Sequence, residues 1–365
     1  MNPQPSSFVL LGSANLSWAS GCCFARHESL EERDLFILFD PHFPFMEVVE
    51  LPRGPWEGAP RASSVNAPLQ RFKVSLLEPI QCAAALRESA QHETRIMVGF
   101  VAGGFGLVRR QWQPSEGEGG AAVVTTCYAA LQQVHAASSY VQITPVWTGN
   151  VDTVLGLRSC GMQMDLLEWR MGSMHVLSTW ALGRFGLGRI HGFGITAVSR
   201  AGQVMSVQAA TSTHAVFFEC ERNASPLCED PATLRRAVPF ATGATSCAYR
   251  DDTVAVILRD GSILVGSWGA VDKQPESLFH ARMKLPNSRP VGVAITGSGI
   301  VVSDAHGRLY AADRHRSTDL RRVDTTSSGF GGTEIEFHAL ACLCSGPDTV
   351  AAVLSDGLMQ VWLAK

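Results

Sequence analysis

Several short stretches of this 365-residue chain hold residue types that could do chemistry. "FHALACLC" gathers His338, Cys342 and Cys344. A metal centre needs about four ligands at suitable spacing. The stretch is otherwise apolar and no Cys-x-x-Cys occurs anywhere, so these cysteines read as buried thiols and no metal is expected. The adjacent Cys22 and Cys23 must point to opposite faces of a strand, which works against chelation by both. "VGFVAGGFGLVRRQW" (Val98 to Trp112) raises a second chemistry, a glycine loop cradling a phosphate. That use requires a helix after the glycines, with its N-terminus aimed at the anion. Here Leu107 to Gln113 is short, alternates like a strand and meets Pro114. The glycines therefore predict the turn of a β-hairpin, and no cofactor or small-molecule ligand is expected.

Catalytic patterns are equally thin. There is no Gly-x-Ser-x-Gly elbow, the eleven histidines are scattered, and the paired carboxylates Glu31-Glu32 and Asp251-Asp252 fall in expected solvated turns. The reading is a non-enzyme. Candidate binding residues are of a different kind. "FDPHFPF" puts Phe43 and Phe45 at a proline-punctuated tip, where they either anchor a partner or fold back onto a neighbour; Phe105, at the glycine turn, has the same two readings. Trp56, in "RGPWEGAPRASSVNAP", sits in a connection that could order on a partner. "DRHRSTDLRR" carries Arg314, Arg316, Arg321 and Arg322, a basic loop for RNA or an acidic partner. The alternative is a solvated loop, because Asp313 and Asp319 dilute it and no aromatics interleave.

The elements that must position these residues are strands. Helical periodicity is nearly absent, and the best helical stretch, Leu76 to Glu88, contains Pro79. What recurs is an apolar run, a Gly or Asp turn, and an alternating run, most clearly in "VAVILRDGSILVGSW" (Val254 to Trp268). Seven such hairpins turn at Asp40-Pro41, Gly103-Gly104, Cys160-Gly161, Ala201-Gly202, Asp260-Gly261, Ala305 to Gly307 and Asp356-Gly357. From the second onward the turns lie 41 to 59 residues apart. Units of this size cannot bury their own faces, which suggests radial repetition of sheets.

These hairpins resemble the central strands of WD40-type repeats, in which a strand, a turn often holding Asp-Gly, and a second strand ending in an aromatic follow one another. Trp112, Trp169, Trp268 and Trp362 take that last place, and "SGPDTVAAVLSDGLMQVW" (Ser345 to Trp362) is the nearest match. No repeat has the Trp-Asp dipeptide or a Gly-His pair near its start, so the family's hydrogen-bonding tetrad is not carried over. A second resemblance is to propellers of the regulator-of-chromosome-condensation type, on "RDGSILVGSWG", without their Gly-Gln-Leu-Gly signature. The resemblance implies an all-β fold, a single seven-bladed WD40-like β-propeller over residues 1–365. Its approximate units are 14–52, 69–113, 121–182, 183–222, 238–282, 283–325 and 333–365. Strand 6–13 would pair with the last blade and close the ring.

Composition bounds the function. Hydrophobic residues make up 46% and charged residues 17%, enough apolar content for a large core. A net charge of −3 gives no global pull toward nucleic acid. The N-terminus has no basic segment and its apolar run is short, and the longest nearly uncharged apolar stretch, Val291 to Val302, is too short and too glycine-rich to span a bilayer. The ten scattered cysteines fit a reducing compartment. The expectation is a cytoplasmic or nuclear, non-catalytic protein-interaction scaffold, a subunit of a larger protein or ribonucleoprotein assembly such as a coat, pore or chromatin complex. Its partners would be other protein subunits, with RNA weakly supported. A guanine-nucleotide exchange factor for a small GTPase, and a propeller hydrolase or lyase, are the alternatives.

Overall fold

Alternating apolar runs separated by tight turns become four-stranded antiparallel sheets in the computed structural model. It describes residues 8–16, 24–29, 33–52, 70–86, 93–112, 122–129, 139–146, 152–199, 204–222, 231–268, 278–305, 308–313, 320–323, 340–345, 349–354 and 358–364. Strand β1 is Phe8–Asn15. One sheet holds β2 (Phe24–Ser29), β3 (Arg33–Phe39), β4 (Phe45–Pro52) and β5 (Gln70–Ser75). The next holds β6 (Ile80–Leu86), β7 (Glu93–Phe100), β8 (Phe105–Trp112) and β9 (Ala122–Ala129). Then come β10 (Tyr140–Pro145), β11 (Asp152–Arg158), β12 (Gln163–Arg170) and β13 (Ser173–Ala181), followed by β14 (Ile190–Val198), β15 (Val204–Thr211), β16 (His214–Glu221) and β17 (Ala232–Pro239). Two more sheets contain β18 (Ala244–Arg250), β19 (Thr253–Leu258), β20 (Ser262–Ser267) and β21 (Phe279–Lys284), then β22 (Pro290–Ile295), β23 (Gly299–Asp304), β24 (Leu309–Asp313) and β25 (Arg321–Arg322). Finally β26 (Leu340–Ser345), β27 (Thr349–Leu354) and β28 (Leu358–Ala364) form a sheet that β1 completes by pairing antiparallel with β28, Phe8 opposite Ala364.

The contacts divide the chain into two compact units. Unit 1 comprises Met1–Leu38, Val48–Phe72 and Phe240–Lys365; unit 2 comprises Phe39–Glu47 and Lys73–Pro239. This corrects the expectation of a single seven-bladed ring closed by the N-terminal strand. Among the described residues there are seven four-stranded sheets, shared between two units, and the β1–β28 pairing belongs to unit 1 alone. Hairpin spacing along a sequence is uniform whether or not every sheet packs equally against its neighbours, so the spacing could not reveal the division. The strands also group differently from the expected units. Gln70–Ser75 completes the sheet begun at Phe24, and Ala122–Ala129 belongs with β6–β8.

Within each unit, alternate residues of a strand face different neighbouring sheets. In unit 2, Val154 of β11 joins Cys82, Ala84, Phe105, Leu107, Tyr140 and Leu167. Its neighbours Leu155 and Leu157 instead pack with Trp180, Phe193, Val207 and Phe218. In unit 1, Ile300 and Val302 of β23 pack on Ala255, Ile257 and Ile263, while Val301 between them meets Val350 and Ala352. Middle strands are therefore covered on both faces, and all six residues of β19 and of β23 are buried. Outer strands such as β17 and β21 alternate toward solvent.

Leu76 to Glu88 is not a helix. Residues 76–79 form a turn and Ile80–Leu86 forms β6, in which Ala83, Ala84 and Ala85 are buried. Pro79 stops a helix from nucleating, and the small side chains suit a first strand crowded between β7 and β10. The first strands share an irregularity. In β6, β10, β14, β18, β22 and β26 the register against the next strand slips at the second residue, a β-bulge at the same place each time.

Candidate protein-docking face

Among the described residues, the large apolar side chains that stand exposed are Phe43, Leu77, Val101, Met162, Met171 and Val291. The first four lie on turns of unit 2. The turn between β3 and β4 is built by Asp40, whose Oδ1 accepts a hydrogen bond from the His42 N–H (2.8 Å) while its carbonyl accepts from the Phe43 N–H (3.1 Å). The phenyl ring of Phe43 stacks on that of Phe45 at 5.7 Å between centroids, and the Lys73 ammonium lies 3.8 Å above the Phe45 ring. Phe43 is thereby held outward and is 44% exposed.

Backbone hydrogen bonds tie this turn to the next ones. The Leu76 N–H donates to the Pro44 carbonyl (2.7 Å), and the Val101 N–H donates to the Pro79 carbonyl (3.0 Å). The segment 76–79 is thus pinned on both sides, and Leu77 projects from it 74% exposed. Between β7 and β8 the chain reverses at Val101 to Gly104, with Gly103 and Gly104 at φ of 94° and 87°, a backbone that only glycine adopts without strain. The glycine stretch is a hairpin, Gly99 opposite Phe105.

The fourth exposed residue, Met162, has a buried brace. Asp165, 0% exposed, accepts hydrogen bonds from the Tyr140 hydroxyl (2.5 Å), from Arg158 Nε (2.6 Å) and Nη2 (2.9 Å), and from the Thr179 hydroxyl (2.7 Å). Arg158 Nη1 also donates to Gln163 Oε1 (3.0 Å). These residues clamp the ends of β11 and β12, and so hold the turn 159–162. Burial, and then the adjacent Asp165 carboxylate, pushes the Tyr140 hydroxyl pKa up. Burial alone would lower that of Arg158, but hydrogen bonding and the charge of Asp165 outweigh it and raise it. The Met162 carbonyl accepts from the Leu182 and Gly183 N–H groups (2.8 and 3.0 Å), and the Ile190 N–H donates to the Gly161 carbonyl (2.8 Å).

Four apolar side chains therefore stand out from backbone-tied turns, an arrangement suited to burying apolar area on a partner at little ordering cost. Of the residues singled out from sequence, Phe43 lies in this face and Phe45 beneath it, half-buried. Phe105 is corrected: it is buried in the core against Tyr140, 5.3 Å between ring centroids, because the register of β7 and β8 turns it inward. Arg321 and Arg322 are exposed on β25, which belongs to unit 1. Trp56, Arg314 and Arg316 lie outside the described residues, as do Cys22, Cys23 and His338. Cys82 and Cys220 are buried thiols, and Cys160 is exposed. Sequence reading missed Leu77, Val101 and Met162; the one available signal was an apolar residue beside a turn-forming Pro or Gly. Among the described residues no helix is long and apolar enough to cross a membrane.

No known protein family and no curated protein matches the chain in sequence. Solved structures do match it in shape. The crystal structure of BBS1N in complex with ARL6DN superposes at a TM-score of 0.57 with 10% identity, covering 99% of this chain and 97% of that one. The WD40 β-propeller domain of Doa1 gives 0.56 and 8%, with 98% and 97% covered. BamB from Moraxella catarrhalis gives 0.52 and 13%, with 98% and 99% covered. At these identities the likeness speaks for the fold alone: this chain is built as a β-propeller, similar to WD40 and other propellers.

Proposed function

We propose that the chain is a non-catalytic protein-interaction propeller that docks another protein on the Phe43, Leu77, Val101 and Met162 face of unit 2. The observation that carries this reading is Leu77, a large apolar side chain held in solvent by a turn pinned at Pro44 and Pro79. Fully burying a leucine is worth about 1.5–3 kcal/mol, and nothing among the described residues of unit 2 uses that gain. The partner is a protein subunit with an apolar patch of its own. The structural neighbour BBS1N, seen in complex with ARL6DN, supports a propeller serving as a protein-binding body.

The test is the native mass of the full chain in gentle extract of its own cells, compared with L77E and with M171E, an exposed apolar residue on a different turn. A discrete complex that L77E dissolves and M171E keeps is the expected result. Migration of the wild type at its own 39.3 kDa, or a complex indifferent to L77E, would overturn the proposal. Dimerisation of the purified chain through Leu77 would replace the second protein with a second copy.

A further inference from the structure

Among its described residues, unit 1 carries a predominantly basic surface across the sheets β18–β21 and β22–β25. The turn between β19 and β20 presents Arg259, whose side chain lies along Gly243. Asp260 beside it accepts from the Ser262 N–H (2.9 Å) and pairs with Arg282 (3.0 Å). Lys284 is near enough to act electrostatically on Asp260. The segment after β21 continues the row. Pro290 lies against Gly261, putting the exposed Arg289 next to this turn. The Ser288 hydroxyl donates to Asp304 Oδ2 (2.9 Å) and the Arg308 N–H donates to Asp304 Oδ1 (2.9 Å), which brings Arg308 to the same edge. The Val323 N–H donates to the Leu309 carbonyl (2.9 Å), and Arg322 sits opposite Tyr310.

Arg259, Lys284, Arg289, Arg308, Arg321 and Arg322 are all exposed, and among the described residues none of them has an ion-pair partner. Asp304 is fully buried and committed to its hydrogen bonds, so Asp260, already paired, is the one exposed carboxylate described on this edge. Asp251 and Asp252 belong to the turn between β18 and β19, where the Asp252 carbonyl accepts from the Trp268 N–H (2.9 Å) at the other end of the hairpin. A chain with net charge −3 has thus concentrated positive charge on one surface.

We infer that this edge binds an acidic, Asp- and Glu-rich segment of another protein. Five of the six unpaired cations are arginines, whose planar forks suit bidentate contact with carboxylates. Single-stranded nucleic acid is disfavoured because bases need an aromatic platform. Tyr310 is buried here, Trp268 is buried at the other end of the hairpin, and Phe240 and Phe279 pack on each other as a tilted pair 6.0 Å between ring centroids. The inference shares with the proposed function the premise of a protein partner, but it concerns a different surface.

The experiment is fluorescence anisotropy of a labelled glutamate-rich peptide of about twelve residues titrated with the full chain, from about 50 to 300 mM salt. A uridine oligonucleotide of equal charge and a serine-substituted peptide are titrated in parallel. The expected result is binding of the glutamate peptide alone, weakening with salt, and reduced about tenfold by R289E/R308E. R321E/R322E is expected to weaken it in the same sense, with unchanged thermal unfolding in both variants. Oligonucleotide binding as tight as peptide binding, no peptide binding, or peptide binding indifferent to both pairs of reversals would overturn the inference. If the complex sensitive to L77E persists while the peptide fails, this inference alone is lost.

Discussion

Replacing Asp165 with alanine is the most informative perturbation of the unit 2 scaffold. Its carboxylate accepts four hydrogen bonds and is 0% exposed. Removing it leaves the Arg158 guanidinium, whose side chain is 8% exposed, without its carboxylate and with the neutral Gln163 and Tyr140 side chains beside it. An uncompensated buried charge costs about 3–5 kcal/mol. The orphaned Tyr140 and Thr179 hydroxyls add about 1–3 kcal/mol each if they find no water, though the terms overlap. A loss of roughly 4–6 kcal/mol is expected, a large part of the about 5–15 kcal/mol of a typical domain. Urea unfolding of the full chain, followed by tryptophan fluorescence, reads it as a lowered midpoint at constant slope. R282A is the control: its ion pair with Asp260 is largely solvated and worth at most about 1 kcal/mol. D165N restores part of the loss by keeping acceptor capacity for Tyr140 or Thr179. A D165A cost under about 1 kcal/mol, similar to R282A, would refute the claim that this network holds the Met162 turn.

Gly156→Ala places a methyl group 2.7 Å from Cδ1 of the Tyr140 ring and is expected to cost about 1–3 kcal/mol in the same urea assay. Phe105→Ala, which empties a core position against Tyr140, is expected to cost about 3–5 kcal/mol, whereas an exposed anchor would cost almost nothing. Burial pushes the Cys220 thiol from 9.0 up to about 12, against a smaller opposing effect of Arg184. The folded state therefore keeps a proton that the unfolded chain releases. Its contribution is complete below pH 9 and is lost as pH rises from 9 toward 12, at up to about 1.4 kcal/mol per pH unit. C220A is expected to flatten this alkaline slope in urea midpoints measured against pH, and an unchanged slope would assign it elsewhere. L77E should shift the urea midpoint by no more than about 0.5 kcal/mol, since the side chain is exposed.

The strands were legible because period-two alternation and glycine turns are local. Gly103 and Gly104 gave the hairpin away, as did Asp260-Gly261, where Gly261 takes φ of 77°. Trp169 and Trp268, read as strand-ending aromatics, are indeed buried near the ends of β12 and β20. The division into two units was not legible, because it depends on how strongly neighbouring sheets pack and not on where hairpins fall. Nor was the orientation of Phe105 or Leu77. Both are apolar residues beside a turn; the register of β7 and β8 sends Phe105 into the core, while the hydrogen bonds that pin 76–79 hold Leu77 in solvent. The Asp165 network was hidden for another reason: Tyr140, Arg158, Asp165 and Thr179 are drawn from four strands, and none of the spacings resembles a motif.

The bulges bear on ancestry. An inserted residue that slips the ladder is harder to acquire than a side-chain substitution, since every later pair in the strand must accept the shift. Yet β6, β10, β14, β18, β22 and β26 carry it at the same second residue, across segments as unlike as "IQCAAAL" and "PVGVAI". Duplication of one bulged ancestral unit accounts for that recurrence with a single event, where independent origins would need six. On this account side-chain identity has drifted past recognition between the copies, while the defect in the backbone has been inherited intact.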